Sequence, residues 1–66
     1  MKNTIKVQRA ILDLTQDDLA KKIGVSRQTI NSIEKNRYVP STVLALKLSQ
    51  VFKIAVNDFF TLEESD

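Results

Sequence analysis

The chain has no cysteine, no histidine and no tryptophan, and only one glycine, one proline and one tyrosine. Without cysteine there is no disulfide framework. Without cysteine and histidine there is no zinc site of the usual ligand type, and no metal or cofactor is expected. Catalysis is hard to build from what remains. No imidazole is available as a general base, the carboxylates are scattered, and no glycine-rich loop exists to cradle a phosphate. The chain is therefore not read as an enzyme, and no small-molecule ligand is evident. No stretch approaches about 20 apolar residues, so no membrane span or membrane partner is expected. The first residues carry charge and no apolar h-region, which excludes a signal peptide. The missing thiols fit a cytoplasmic protein.

What is present is a single 66-residue domain, residues 1–66, with a formal charge of +2. A chain this small buries only about 60% of its unfolded surface. Lacking staples, it must rely on tight helix packing, on dimerisation, or on both. The small net charge hides an asymmetry. Residues 1–53 carry all ten Lys/Arg and four acids, a balance of +6, whereas residues 54–66 carry four acids and no base, a balance of −4. A basic body with an acidic tail points to a polyanion on one side of the molecule.

Five short helices are expected. In the first, Ile5, Arg9 and Leu12 fall at i, i+4 and i+7, and Val7 with Ile11 adds a second apolar line; it stops near Asp13. Thr15 is placed as the cap of the second, with Asp18 three residues on as a capping box in which Asp replaces the usual Glu or Gln. Leu19, Ala20 and Ile23 form its inner face, and Gly24 ends it in a left-handed conformation. Ser26 caps the third helix, whose inner face is Ile30 and Ile33. The polar loop KNRYVP follows, with Asn36 in a turn position that needs positive φ. The fourth helix, STVLALKLSQVF, is the most apolar, and a short fifth, VNDFF, brings Val56, Phe59 and Phe60.

Two helices of about eight residues, joined at a glycine and each opened by a hydroxyl cap, make a helix-turn-helix over about residues 16–35. Such a unit lays the start of its second helix in the DNA major groove. The exposed side chains there suit that task. Arg27 can bind guanine O6 and N7 in bidentate fashion, and Gln28 can pair with adenine N6 and N7. Asn31 and Ser32 lie one turn further on and extend the readable face, and Thr29 offers a methyl to thymine. Gln16 and Ser26, at the two helix starts, are placed for phosphates, and Asn36, Arg37 and Tyr38 for the next phosphate along. Arg9 has two readings: a phosphate contact, or a partly buried ion pair with Glu34.

Taken together, the segments IKVQRAILDLTQDDLAKKIGVSRQTINSIE and VPSTVLALKLSQVFKIAVNDFF resemble the phage-repressor and Cro type (XRE-like) of helix-turn-helix regulators. The likeness covers about residues 5–60, and the spacing of Gln16, Ala20, Gly24, Ile30 and Glu34 is its most specific part. It implies an all-α, five-helix, lambda-repressor-like domain, sequence-specific binding to double-stranded DNA, and a homodimer on a palindromic operator. It also favours the Arg9–Glu34 pair. Two positions depart from the pattern: Asn36 stands where the family often has Gly, and Ala55 where it often has Ser or Thr, leaving Asn57 as a later cap for the fifth helix.

Val39, Val56, Phe60 and Leu62 are left over once five helices pack, and an apolar surplus marks an interface; these four are assigned to the dimer contact. Residues 1–4 and 60–64 are expected to pair as a short two-stranded ribbon. The expected function is a DNA-binding transcriptional repressor, associated with the nucleoid when bound. The competing reading is an antitoxin-like protein-interaction module that also binds DNA. It needs an extra segment to wrap a partner, and only six residues follow Phe60.

Overall fold

The computed structural model describes all 66 residues. A two-residue strand β1 (Lys2–Asn3) leads into α1 (Ile5–Ile11), α2 (Gln16–Ile23), α3 (Arg27–Glu34) and α4 (Thr42–Phe52). A single 3-10 turn, Val56–Asp58, and strand β2 (Phe60–Thr61) complete the chain. The expected five-helix count is therefore corrected to four helices and a 3-10 turn. The reason is local. Ala55 has no side-chain oxygen to cap a fifth helix, and Asn57 does not take over; the Asp58 carboxylate instead accepts the Ala55 N–H at 3.1 Å.

The starts of α2, α3 and α4 follow their caps. Thr15 and Asp18 form both halves of the capping box, each bond 3.0 Å long. Ser26 accepts from the Thr29 N–H at 3.1 Å, and Ser41 from the Leu44 N–H at 3.2 Å. Gly24 ends α2 at φ 75°. Such caps satisfy backbone donors that a helix's first turn leaves without partners.

The eleven buried residues are all apolar. Leu19, Ala20 and Ile23 of α2 face Ile30 and Ile33 of α3, and Leu44, Leu48 and Phe52 of α4 close the other side. Phe59 meets Phe52 edge-on, ring centroids 5.2 Å apart, and touches Phe60 at 4.9 Å. Phe60, assigned from the sequence to the dimer contact as a residue without a core position, has one: it is 7% exposed. The second apolar line of the first helix is also corrected. Val7 and Ile11 lie on the outside, Ile11 69% exposed, and Ile5 alone of α1 is buried.

The ribbon forms as a two-stranded antiparallel sheet, with Lys2 opposite Thr61 and Asn3 opposite Phe60. The Thr4 N–H donates to the Phe59 carbonyl at 2.9 Å, extending the connection. The N-terminal ammonium lies 3.0 Å from carboxylate oxygens of both Glu63 and Asp66. Two of the tail's acids are thus held at the ribbon. No helix is long and apolar enough to cross a membrane.

Candidate nucleic-acid interface

The geometry of α3 follows from what its two faces touch. Ile30 and Ile33 are buried against α2, which turns Arg27 and Gln28 outward and leaves Asn31 and Ser32 half-buried at the margin. The Ser26 cap fixes where the helix begins, and its hydroxyl also meets the Thr29 hydroxyl at 2.9 Å. Thr29 is accordingly turned back toward the cap rather than straight out.

Two concavities flank this face. One, of about 660 Å³, has an entirely polar lining of Ser26, Arg27, Gln28, Asn31 and Lys35. The other, of about 550 Å³, brings Gln28, Thr29 and Ser32 of the helix together with Arg37 and Tyr38 of the following loop. The residues expected to read bases and three of those expected to hold phosphate, Ser26, Arg37 and Tyr38, thus border one face of α3. Arg27, Lys35 and Arg37 lie exposed there, while the Glu63 and Asp66 carboxylates are occupied by the N-terminus.

Behind α3 lies a polar lattice. Arg9 Nε donates to Glu34 Oε2 at 2.6 Å, Nη2 to Glu34 Oε1 at 3.1 Å, and Nη1 to the Leu14 carbonyl at 2.9 Å. Of the two readings of Arg9, the structure has the ion pair, with side chains only 13% and 9% exposed. A forked pair of this kind holds α1 against the end of α3 in one orientation. Gln16 joins the same lattice: its Nε2 donates to Glu34 Oε1 at 3.1 Å and to Asn31 Oδ1 at 3.3 Å. Both of its amide hydrogens are therefore used inside the protein, and a side-chain phosphate contact would require releasing one. The backbone N–H groups of Gln16 and Asp17, which open α2, are free of this constraint.

Asn36 has φ 59°, the positive value its loop position calls for. Asn3, which no motif in the sequence singles out, reaches this loop through its amide: Nδ2 donates to the Ile33 carbonyl at 2.9 Å and to Asn36 Oδ1 at 3.0 Å. Asparagine two residues before a helix is a signal for the acceptor half of that arrangement. Nothing local signals the donor half. Lys6, which the sequence leaves as solvated charge or a backbone contact, and Lys35 flank a further polar cleft between α1 and α3 that contains Gln16 and Asn31.

Val39, Val56 and Phe60 line a separate, mostly apolar groove of about 280 Å³, together with Met1, Pro40 and Leu46. Leu62 is 77% exposed and does not line it. Val39 is 67% exposed, whereas Val56 is partly buried against the core.

The Helix-turn-helix family profile matches residues 5–59. An uncharacterized HTH-type transcriptional regulator of Methanocaldococcus jannaschii is 52% identical over the full length of both chains. The uncharacterized HTH-type transcriptional regulator YgzD of Bacillus subtilis is 46% identical, again over both full lengths. Among solved structures, the SOS-response transcriptional repressor LexA of Eubacterium rectale superposes with a TM-score of 0.79 at 29% identity, covering 94% of this chain and 66% of that one. The chain belongs to the helix-turn-helix family of transcriptional regulators.

Proposed function

We propose that this protein is a sequence-specific transcriptional regulator that binds double-stranded DNA through α3, acting as a homodimeric repressor on a palindromic operator at the nucleoid. The observation that carries the reading is the outer face of α3. Arg27, Gln28, Asn31 and Ser32 lie on a capped helix between two concavities, one lined by Arg27 and Lys35 and the other by Arg37 and Tyr38. These types offer the donors and acceptors that distinguish base pairs in the major groove. Arg27 and Gln28 project furthest and are the principal readers. Asn31 and Ser32 extend the face, and Thr29, with its hydroxyl turned to Ser26, has its methyl for thymine.

Phosphates are held around the rim by Ser26, Asn36, Arg37 and Tyr38, and by first-turn N–H groups at Gln16. One short helix covers only a few base pairs. Two copies related by a two-fold axis read half-sites about 34 Å apart on one side of the duplex. The apolar groove containing Val39 and Val56 supports such a contact, and the exposed Leu62 adds apolar surface to it in the dimer. Occupying an operator blocks access to it, which makes repression the simplest outcome.

Selection of bound sequences from a random duplex pool tests the reading. An enriched palindrome with half-sites one helical turn apart is expected. A pool that stays random would remove sequence-specific reading by α3.

A further inference from the structure

The end of the reading helix is built in a way that depends on the first residues of the chain. The Asn36 N–H donates to the Ile33 carbonyl at 3.0 Å and the Arg37 N–H to the Ser32 carbonyl at 2.9 Å. These two bonds, with Asn36 left-handed at φ 59°, form a Schellman motif. Glycine usually occupies that position because a Cβ is disfavoured there. Here an asparagine occupies it, and Asn3 holds it. One hydrogen of the Asn3 amide goes to the Ile33 carbonyl and the other to Asn36 Oδ1. The Asn3 oxygen accepts the Ile5 N–H at 3.2 Å, at the start of α1. Asn3 is itself held in register opposite Phe60 in the ribbon.

We infer that Asn3 is a positioning residue for DNA-backbone contact: by clamping Ile33 and Asn36 it sets the exposed segment Asn36–Tyr38 at the height where Arg37 and Tyr38 meet a phosphate. The inference rests on the DNA-binding reading of the same surface. The clamp on Asn36 is the one side-chain hydrogen bond made by residues 36–38. That segment shares its concavity with Gln28 and Ser32, so a shift of the loop moves the phosphate contact relative to the base-reading face. The Ile33 carbonyl also belongs to the last turn of α3, whose acceptors have no partner within the helix.

The chemistry of asparagine lets its two jobs be separated. Asn3→Asp keeps an oxygen for the Ile5 N–H and loses the forked donor, setting an acceptor against the Ile33 carbonyl. Asn3→Ser is uncharged and too short to reach Ile33, and serves should the carboxylate variant fail to fold. Each full-length variant is titrated against the selected operator and a random duplex over a salt series. Hydrogen exchange of the Arg37 amide is measured without DNA. The expected result is a roughly tenfold loss on both duplexes alike, with the slope of log K against log salt reduced by about one. Faster exchange at Arg37 should accompany it, with a circular-dichroism spectrum like that of the parent. Adding Arg37→Ala to the variant should cost little more, since that contact is already lost. A parent salt slope in both Asn3 variants, or a loss that adds in full to that of Arg37→Ala, overturns the inference. A parent protein that binds neither duplex overturns the DNA reading instead; exchange at Arg37 then still reports whether Asn3 holds the loop.

Discussion

Gln16 and Asn31 meet across the turn between α2 and α3, Nε2 to Oδ1 at 3.3 Å. The bond uses one acceptor position of the Asn31 oxygen and orients the side chain, with its amide N–H groups without a partner inside the protein. If Asn31 reads bases as proposed, this orientation favours donation to acceptors such as guanine O6 and N7 or thymine O4. Removing either partner should disturb the same readout. Gln16→Ala and Asn31→Ala are expected to weaken operator binding non-additively, with an interaction term of about 0.5–3 kcal/mol in a double-mutant cycle. Losses that add independently would mean the bond has no part in recognition.

Arg27 and Gln28 carry the largest expected base-specific effects. Arg27→Ala and Gln28→Ala should each lose about 1–3 kcal/mol on the correct operator and relax the requirement at one base position. Random duplex should be affected less. Equal weakening on operator and random DNA, measured by competition binding, would rule out base reading by these two side chains.

The Arg9–Glu34 pair predicts a stability effect. Both side chains are largely withdrawn from water, and Glu34 also accepts from Gln16. Removing one partner strands the other charge at a cost of about 3–5 kcal/mol. A core of this size rarely supplies more than about 3–5 kcal/mol in total. Arg9→Met should therefore be largely unfolded at room temperature, and Arg9→Met combined with Glu34→Leu should regain much of the loss. Urea denaturation of the single and double variants decides it; a single variant as stable as the parent would show that the pair contributes nothing.

Leu46 offers a cleaner test of assembly than Val56. It is 54% exposed and lines the apolar groove, whereas Val56 packs partly against the core and a charge there would confound folding with association. Leu46→Glu should convert a dimer to monomer with helical content unchanged, and operator affinity should fall. Sedimentation equilibrium with circular dichroism checks both. A variant that remains dimeric would move the interface off this groove, and a parent that is monomeric at high concentration would exclude a dimer in free solution.

Asp18 links the capping box to pH. The Thr15 backbone N–H, then the Thr15 hydroxyl contact, hold its carboxyl below the usual value of 3.8, and Lys21 and Lys22 add to the effect. A carboxyl depressed in the folded state stabilises above its unfolded pKa, and that contribution is lost as pH falls through the folded one. Asp18→Asn should therefore melt below the parent near neutral pH, and the two should converge once the acid is protonated. A gap that persists unchanged into strong acid would assign the effect to geometry and not to charge.

Local patterns in the sequence determined the parts whose partners lie three or four residues away. The Thr15–Asp18 box, the Ser26 cap, the left-handed Gly24 and the outward face of α3 were legible because each is fixed by short-range backbone geometry and helical period. The failed fifth helix was signalled by Ala55, although the Asp58 contact that replaces its cap was not. The tertiary structure alone decided matters that depend on which distant segments meet. Phe60 entered the core because the turn at Val56–Asp58 and the pairing of Asn3 with Phe60 bring its ring onto Phe59. Gln16 was turned inward because Glu34 and Asn31, 18 and 15 residues away, present acceptors to its amide. Asn3 reached the end of α3 across 30 residues of chain. An amide or an aromatic ring can satisfy itself in many surroundings, so its residue type alone does not say which one it takes; packing makes that choice by leaving a single set of partners within reach.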